Sequence, residues 1–474
     1  MKKEIVAKSK NLSKWYTDVI LKAELADYAP VKGCMVIRPY GYSLWEQVQN
    51  FLNPIFQKKG IKNAYFPIFI PESFLQKEKD HVKGFAPHTA VVTVAGGEEL
   101  PEKLIVRPTS ETVIYDMYRK WTKSWRDLPI KINQWCNIVR WEKRTYLFLR
   151  TSEFLWQEGH CAHSTHGESR ETVQWALEAY QSMYRDLMAI HGVVGYKSES
   201  EKFVGADQTL TIEILMPDGK SLQAGTSHDL GQNFAKAFQW TVQDEKGKDL
   251  YPWQNSWGLS TRSIGGLIMA HGDDNGLFLP PRIAPIQIII IPIYDNSNRE
   301  KILKYAKRIK KDLKNIRTEI DLKEGETAGF KFNHWEMKGV PLRLEIGIRE
   351  LEGDSLTMVR RDNGVKNKID RSGMLKKIIS TLDEIQELAL QKHKEFTEKN
   401  THEVDSYKEF KEIMLNQKGF IKAFWCENPQ CEAQIKNETK ASTRCRPIDA
   451  SEEKGKCIYC GQSARYRWIF GQSY

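Results

Sequence analysis

No stretch of this sequence stays apolar long enough to cross a membrane. The longest apolar run, Ile286 to Tyr294, is interrupted by Gln287 and Pro292 and falls far short of the roughly 20 residues a spanning helix needs. The N-terminal segment MKKEIVAKSKNLSKWYTDVI carries lysines but lacks the unbroken apolar stretch of a secretory signal, so a cytoplasmic protein is the expectation. Cysteine is scarce over most of the chain: Cys34, Cys136 and Cys161 are scattered, and the other five of the eight lie after residue 425. In the reducing compartment so expected a disulfide framework is not anticipated, and that distribution agrees. Internal repeats and low-complexity tracts are absent. Acidic residues are in deficit, 61 Asp and Glu against 71 Lys and Arg, for a net charge of +10. Such a balance suits either a polyanionic partner or a well-solvated basic surface.

What is present is ordinary for a globular protein, with 41% hydrophobic and 28% charged residues. At 474 residues the chain exceeds what one core supports, and it divides into three regions. Residues 1–283 mix long helical patterns with short apolar strands. A boundary at Arg282 to Pro285 precedes an apolar strand, Ile286 to Ile293, and an amphipathic helix whose Ile302, Leu303, Ala306, Ile309 and Leu313 share a face. The rest of that helix is dense in Lys and Arg, as an RNA-facing or simply solvated surface would be. Strands expected at Glu319–Leu322, Arg343–Ile348 and Leu356–Arg361 make residues 284–397 a small mixed α/β domain. Residues 398–474 then comprise a helical connector to Gln417 and a cysteine-containing module.

The strongest spacing signal is Cys426-x4-Cys431 followed by Cys457-x2-Cys460. Two close thiolate pairs form the tetrahedral S4 set of a structural zinc site, with no open position for water. Free or redox thiols are the alternative reading. Cys445 stands between the pairs as a bystander, or as a substitute ligand. A second signal is Arg140-Trp141-Glu142, a polar loop through Lys143, Arg144 and Thr145, and then Phe148-Leu149-Arg150. A strand, a basic loop and a returning strand can gather guanidinium groups and a carboxylate around a nucleotide. Taken alone, Arg-x-Glu is more often a surface ion pair.

Its neighbours are informative: Arg107-Pro108-Thr109-Ser110-Glu111, Trp156-Gln157-Glu158-Gly159-His160, Gln223-Ala224-Gly225-Thr226-Ser227-His228 and Trp257-Gly258-Leu259-Ser260-Thr261-Arg262. These segments resemble class II aminoacyl-tRNA synthetases, and their wording resembles the prolyl-tRNA synthetases. Pro67 in Tyr65-Phe66-Pro67-Ile68 falls where the family's first motif has its dimer-interface proline. The resemblance implies an α/β protein: an antiparallel-sheet class II catalytic core, a small α/β anticodon-binding domain and a C-terminal zinc-containing α/β module. It looks like the archaeal and eukaryotic-like type. Only residues 151–256 separate Arg150 from Trp257, too few for the large editing insertion of the other bacterial type.

The implied activity is ATP-dependent activation of L-proline and its transfer to tRNA(Pro), by a homodimer using Mg²⁺ and a structural Zn²⁺. By resemblance, Arg140 bridges the amino-acid carboxylate and the α-phosphate. Glu142 and Arg150 hold the nucleotide, Arg262 takes the γ-phosphate end, and Gln223, Thr226 and Ser260 contact ATP, with Gln223 near Mg²⁺. Thr109, Glu111 and His228 would meet the proline ammonium, while Trp156 and Phe203 wall the ring and Glu158 and His160 close the pocket. The implied zinc ligands are Cys426, Cys431, Cys457 and Cys460. Glu336, Lys338, Arg343 and Lys366 are the expected anticodon readers, and Tyr474 is expected to dock on the catalytic domain with its carboxylate near the proline pocket. The competing expectations are a sibling synthetase for threonine, serine or glycine, and a non-catalytic RNA-binding protein on the same scaffold.

Overall fold

Alternation of apolar and polar residues builds the dominant feature, an eleven-stranded sheet. The computed structural model describes residues 5–76 and 89–474. From one edge the strands are Thr401–Glu403, Phe420–Trp425, Tyr466–Gly471, Ser442–Pro447, Val193–Tyr196, Gln208–Leu215, Ser221–Gly231, Trp253–Ser260, Glu153–His163, Ile130–Val139 and Lys62–Asn63. All neighbours pair antiparallel except the first two and the last two strands.

One face of its central strands is covered by the helix His166–Ser182, which opens with a reciprocal Thr165–Glu168 capping box. A core of Trp15, Trp45, Phe56, Tyr180 and Trp257 forms beneath it. Gly159 belongs to this face: a Cβ there would meet the Trp257 indole at 2.1 Å. The opposite face stays open around residues 154–160, 223–228 and 256–262.

The sheet runs without a break into the C-terminal module, because Arg446 and Pro447 pair with Tyr196 and Gly195. A Cβ on Gly195 would stand 2.2 Å from the Arg446 carbonyl oxygen, so glycine permits this junction. Behind it lies a buried charge triad. Lys197 Nζ sits 2.7 Å and Arg444 Nε 3.0 Å from the two oxygens of Glu213, and despite burial the two cations hold the Glu213 carboxyl down at about 2.

Residues 288–370 form a separate five-stranded sheet in the order Thr318–Ile320, Ile288–Pro292, Leu342–Ile346, Ser355–Arg360 and Lys366–Asp370. Its helix Arg299–Asp312 buries Ile302, Tyr305, Ala306 and Ile309 against the strands Ile288–Pro292 and Thr318–Ile320, in a core to which the helix Met374–Lys399 also contributes. The connector expected to be helical from residue 398 is instead a strand, Thr401–Glu403, followed by the helix Tyr407–Asn416. Sheet pairing with Phe420–Trp425 overrides the polar helical pattern there. Among the described residues no helix is long and apolar enough to cross a membrane.

Candidate active site

The open face of the large sheet holds a cavity whose floor follows from strand register. Side chains two apart share a face, so Phe154, Trp156, Glu158 and His160 all reach it. Glu158 pairs with Gly258, which pairs with Thr226; His160 pairs with Ser256, which pairs with His228. Two cross-strand rows are thereby fixed. Thr109 and Glu111, Phe203, Gln223, and Ser260 with Arg262 complete the walls. Glu142 and Arg150 line an adjoining recess that shares Arg140, Ser260 and Arg262. The residues expected around a nucleotide and an amino acid are thus brought into one continuous space.

Glu158 is the most heavily coordinated group in it. Buried, it accepts from Ser110 Oγ at 2.5 Å, Gln134 Nε2 at 2.5 Å and His160 Nε2 at 2.9 Å. Burial opposes charge on both partners, but their hydrogen bond and mutual attraction prevail, holding Glu158 below the usual carboxylate range and His160 above the usual imidazole range. Beside them Thr109 donates to Glu111.

His228 behaves oppositely. Burial, with the charges of His160 and Arg140, pushes it down to about 3, so it stays neutral. Its Nδ1 lies 2.9 Å from Thr209 Oγ1 and its ring 4.5 Å from that of Phe203.

Two arginines, Arg140 and Arg262, line both the cavity and its adjoining recess. Arg140 Nε donates to the Pro108 carbonyl at 3.0 Å, and its guanidinium lies over Phe154 and Trp156 at 5.7 and 5.5 Å. Arg262 Nε donates to the Leu149 carbonyl at 3.0 Å. Burial and then the charge of Arg262 push Arg140 down to about 10, and burial lowers Arg262 too. Two convergent, desolvated cations favour an anion between them. Arg150 meets Glu142 at 2.7 Å. Arg150 lies in a tight turn rather than in a returning strand, since Phe148 has φ 61° and the strand begins only at Glu153.

Phe154, Glu201 and Thr209 also line the cavity and were not singled out from the sequence. Phe154 was accessible through its two-residue spacing from Trp156; the other two carry no local signal. Arg107 opens its motif but is structural: fully buried, it donates to the Phe66 carbonyl and to Asn137 Oδ1.

In the C-terminal module Cys426, Cys431, Cys457 and Cys460 converge, their sulfurs all within 4.8 Å of one another. Cys426 Sγ stands 3.8 Å from Cys431 and 3.7 Å from Cys460. A tetrahedron with Zn–S bonds of about 2.3 Å has edges of about 3.8 Å, so the donor set fits zinc. Cys445 is buried elsewhere, against Leu215, Phe420 and Ile469.

Tyr474 docks on the catalytic sheet. Its hydroxyl donates to Asp218 Oδ1 at 2.8 Å, and Ser221 N–H donates to the Gln472 carbonyl at 2.7 Å. The residues lining the central cavity do not include Tyr474. In the five-stranded domain Arg343 and Lys366 gather around Glu345 and the Phe332 ring. Lys338 turns away to pair with Glu24 at 2.6 Å across the domain boundary.

Comparison with known proteins agrees with this layout. Residues 93–271 match a family model described as the tRNA synthetase class II core domain (G, H, P, S and T). Residues 287–381 match an anticodon binding domain, and residues 407–474 the prolyl-tRNA synthetase C-terminal domain. The chain is 51% identical to the proline–tRNA ligase of Natranaerobius thermophilus, over 97% of this chain and 95% of that one. It is 48% identical to proline–tRNA ligase 2 of Clostridioides difficile, over 99% and 98%, and 47% identical to the proline–tRNA ligase of Amoebophilus asiaticus over the whole of both.

Proposed function

The chain belongs to the proline–tRNA ligases, class II aminoacyl-tRNA synthetases, and from that premise we propose how its own residues divide the work of charging tRNA(Pro). The enzyme activates proline with ATP and passes it to the tRNA. The observation that carries the assignment of roles is the pair of convergent arginines facing the buried Glu158–His160 floor within one cavity.

In the first step a proline carboxylate oxygen attacks the α-phosphorus, and the bond to the pyrophosphate oxygen breaks. Little covalent help is needed, so positioning and charge stabilisation do the work. Arg140 bridges the carboxylate and the α-phosphate, its Nε anchored on Pro108 so that the remaining N–H groups are aimed. Arg262 takes the γ-phosphate end, while Glu142 and Arg150 hold the base and ribose side with Thr226 and Ser260. Mg²⁺, when bound, neutralises phosphate charge, and the amide oxygen of Gln223 suits such a hard cation.

The secondary ammonium of proline presents two N–H donors, which Glu111 and the Thr109 hydroxyl accept. A neutral His228 adds no competing positive charge, and with Phe203 and Trp156 it forms the wall for the ring methylenes. In the second step the terminal ribose hydroxyl of the tRNA attacks the activated carbonyl and AMP leaves.

Three domains are proposed: residues 1–283 catalytic, 284–397 anticodon-binding and 398–474 the connector with a C-terminal module. Its four cysteines would hold a structural Zn²⁺. Arg343, Lys366 and Glu336 remain the anticodon-reading candidates. A cytoplasmic homodimer paired around the exposed Pro67 and Tyr65 completes the reading, and light scattering at twice the 55.0 kDa chain mass checks the assembly. ATP–pyrophosphate exchange with proline, alanine, cysteine and threonine side by side tests the pocket. Exchange with threonine but not proline overturns it.

A further inference from the structure

The cavity wall formed by residues 197–207 is a connection between two sheet strands, Val193–Tyr196 and Gln208–Leu215, with no regular structure of its own. It nevertheless supplies two lining residues, Glu201 and Phe203. Phe203 is set against the His228 ring, and its backbone N–H donates to Thr209 Oγ1 at 3.0 Å. A loop of this kind is mobile unless something outside it fixes its course.

Asn233 holds the far end of the loop through the Gly205 carbonyl at 3.1 Å, and the near end is held from the C-terminal module. Glu432 lies on the helix Pro429–Thr439 and is only 4% exposed. Its carboxylate accepts from Ser198 Oγ at 3.2 Å and from Ser200 Oγ, both on the loop. Its remaining valences are taken by the Thr443 hydroxyl and by the Thr443 N–H at 3.3 Å. One helical turn on, Lys436 Nζ stands 3.3 Å from Glu201 Oε1. Glu432 and Lys436 are four residues apart and therefore on one helix face, so a single face of the C-terminal helix grips the loop at two points.

We propose that Glu432 is a positioning residue of the proline pocket, holding the 197–207 loop through Ser198 and Ser200 so that Phe203 and Glu201 keep their places in the cavity wall. The proposal rests on the reading of that cavity as the proline site. Glu432 touches no substrate. Its carboxylate ties the loop to the C-terminal helix, so that part of the loop's ordering is supplied by folding. On that reading proline packs against this wall through Phe203, while ATP lies toward Arg262. Loss of the clamp therefore separates the two substrates.

The test uses the full chain carrying Glu432→Gln, which keeps the shape but places an amide donor against hydroxyl donors. With charge-assisted hydrogen bonds lost, the KM for proline in ATP–pyrophosphate exchange should rise about tenfold, while the KM for ATP and kcat stay within about twofold. Ser200→Ala, on the catalytic side of the contact, should do the same. Adding it to Glu432→Gln should cause little further loss, because both remove one interaction. Independently of any substrate, backbone amides of residues 197–207 should exchange with deuterium faster in Glu432→Gln, with those of the strand Trp253–Ser260 unchanged. An unaltered proline KM with unaltered loop exchange overturns the clamp. So does a parallel rise in both substrate KM values, which marks general loosening. A wild-type enzyme that shows no proline-dependent exchange sinks the site assignment instead, and the deuterium measurement still decides whether Glu432 holds the loop.

Discussion

Arg140→Ala is the most direct test of the chemistry proposed for the cavity. The Arg140 side chain is held by its own Nε on the Pro108 carbonyl and framed by Phe154 and Trp156, so its outer N–H groups are oriented before any substrate arrives. Losing one such preorganised donor costs about 2.7–4 kcal/mol in the transition state, or about 100- to 1,000-fold in rate. The lower end is expected, because removing Arg140 also relieves the repulsion it shares with Arg262 and lets Arg262 lean toward the phosphates. Arg140→Lys keeps the charge but cannot reproduce the fork or the Pro108 anchor, so it should recover only a small part of the loss. Proline-dependent ATP–pyrophosphate exchange supplies the rate, and circular dichroism establishes that the variants are folded. A folded Arg140→Ala enzyme within about threefold of wild type would refute the transition-state role, since the preorganisation argument requires a far larger effect.

With the four cysteines holding zinc as proposed, a chelator or Cys457→Ser should lower the melting temperature and release the module first, because such a metal would close its fold; metal analysis that finds no zinc in carefully prepared, active enzyme contradicts this. Acid should destabilise the protein from about pH 6.5 downward. His163, His228 and His393 are held by burial at about 4, 3 and 3 against an ordinary 6.5, so below 6.5 the unfolded chain binds more protons than the native one. Each such imidazole contributes up to about 1.4 kcal/mol per pH unit in that window. His393→Gln, remote from the cavity, should therefore flatten the melting-temperature profile between pH 6.5 and 5, and a slope parallel to wild type rules this out. Deleting Ser473 and Tyr474 removes the contacts to Ser221, in the strand of Gln223, and to Asp218, in the turn before that strand; prolylation should fall more than thermal stability, and unchanged kinetics would leave those contacts a structural role alone.

Much of the cavity could be read from the sequence because strand geometry is local. Once Trp156, Glu158 and His160 are two apart on a strand, they share a face whatever surrounds them, and the same holds for Thr226 with His228. The cysteine spacing is similar: two short pairs preorganise two halves of an S4 set, and the four sulfurs do meet. Local pattern failed where pairing partners lie far apart. The junction of Arg446 with Tyr196 spans 250 residues of sequence, and the segment after residue 398 becomes a strand only because Phe420–Trp425 offers it an edge.

The sequence by itself determined the chemistry available: which cations, carboxylates, imidazoles and thiols exist, and which of them neighbouring turns and strands must present together. Only the tertiary structure decided their environment. It buried His228 beside Arg140 and so kept it neutral, gave Glu158 the partners Ser110, Gln134 and His160, and committed Lys338 to Glu24 rather than to solvent. It also merged the C-terminal module with the catalytic sheet, bringing Glu432 against a loop more than 230 residues away. Desolvation and long-range hydrogen bonding are properties of packed neighbours, and a linear spacing carries no record of which distant segment will supply them.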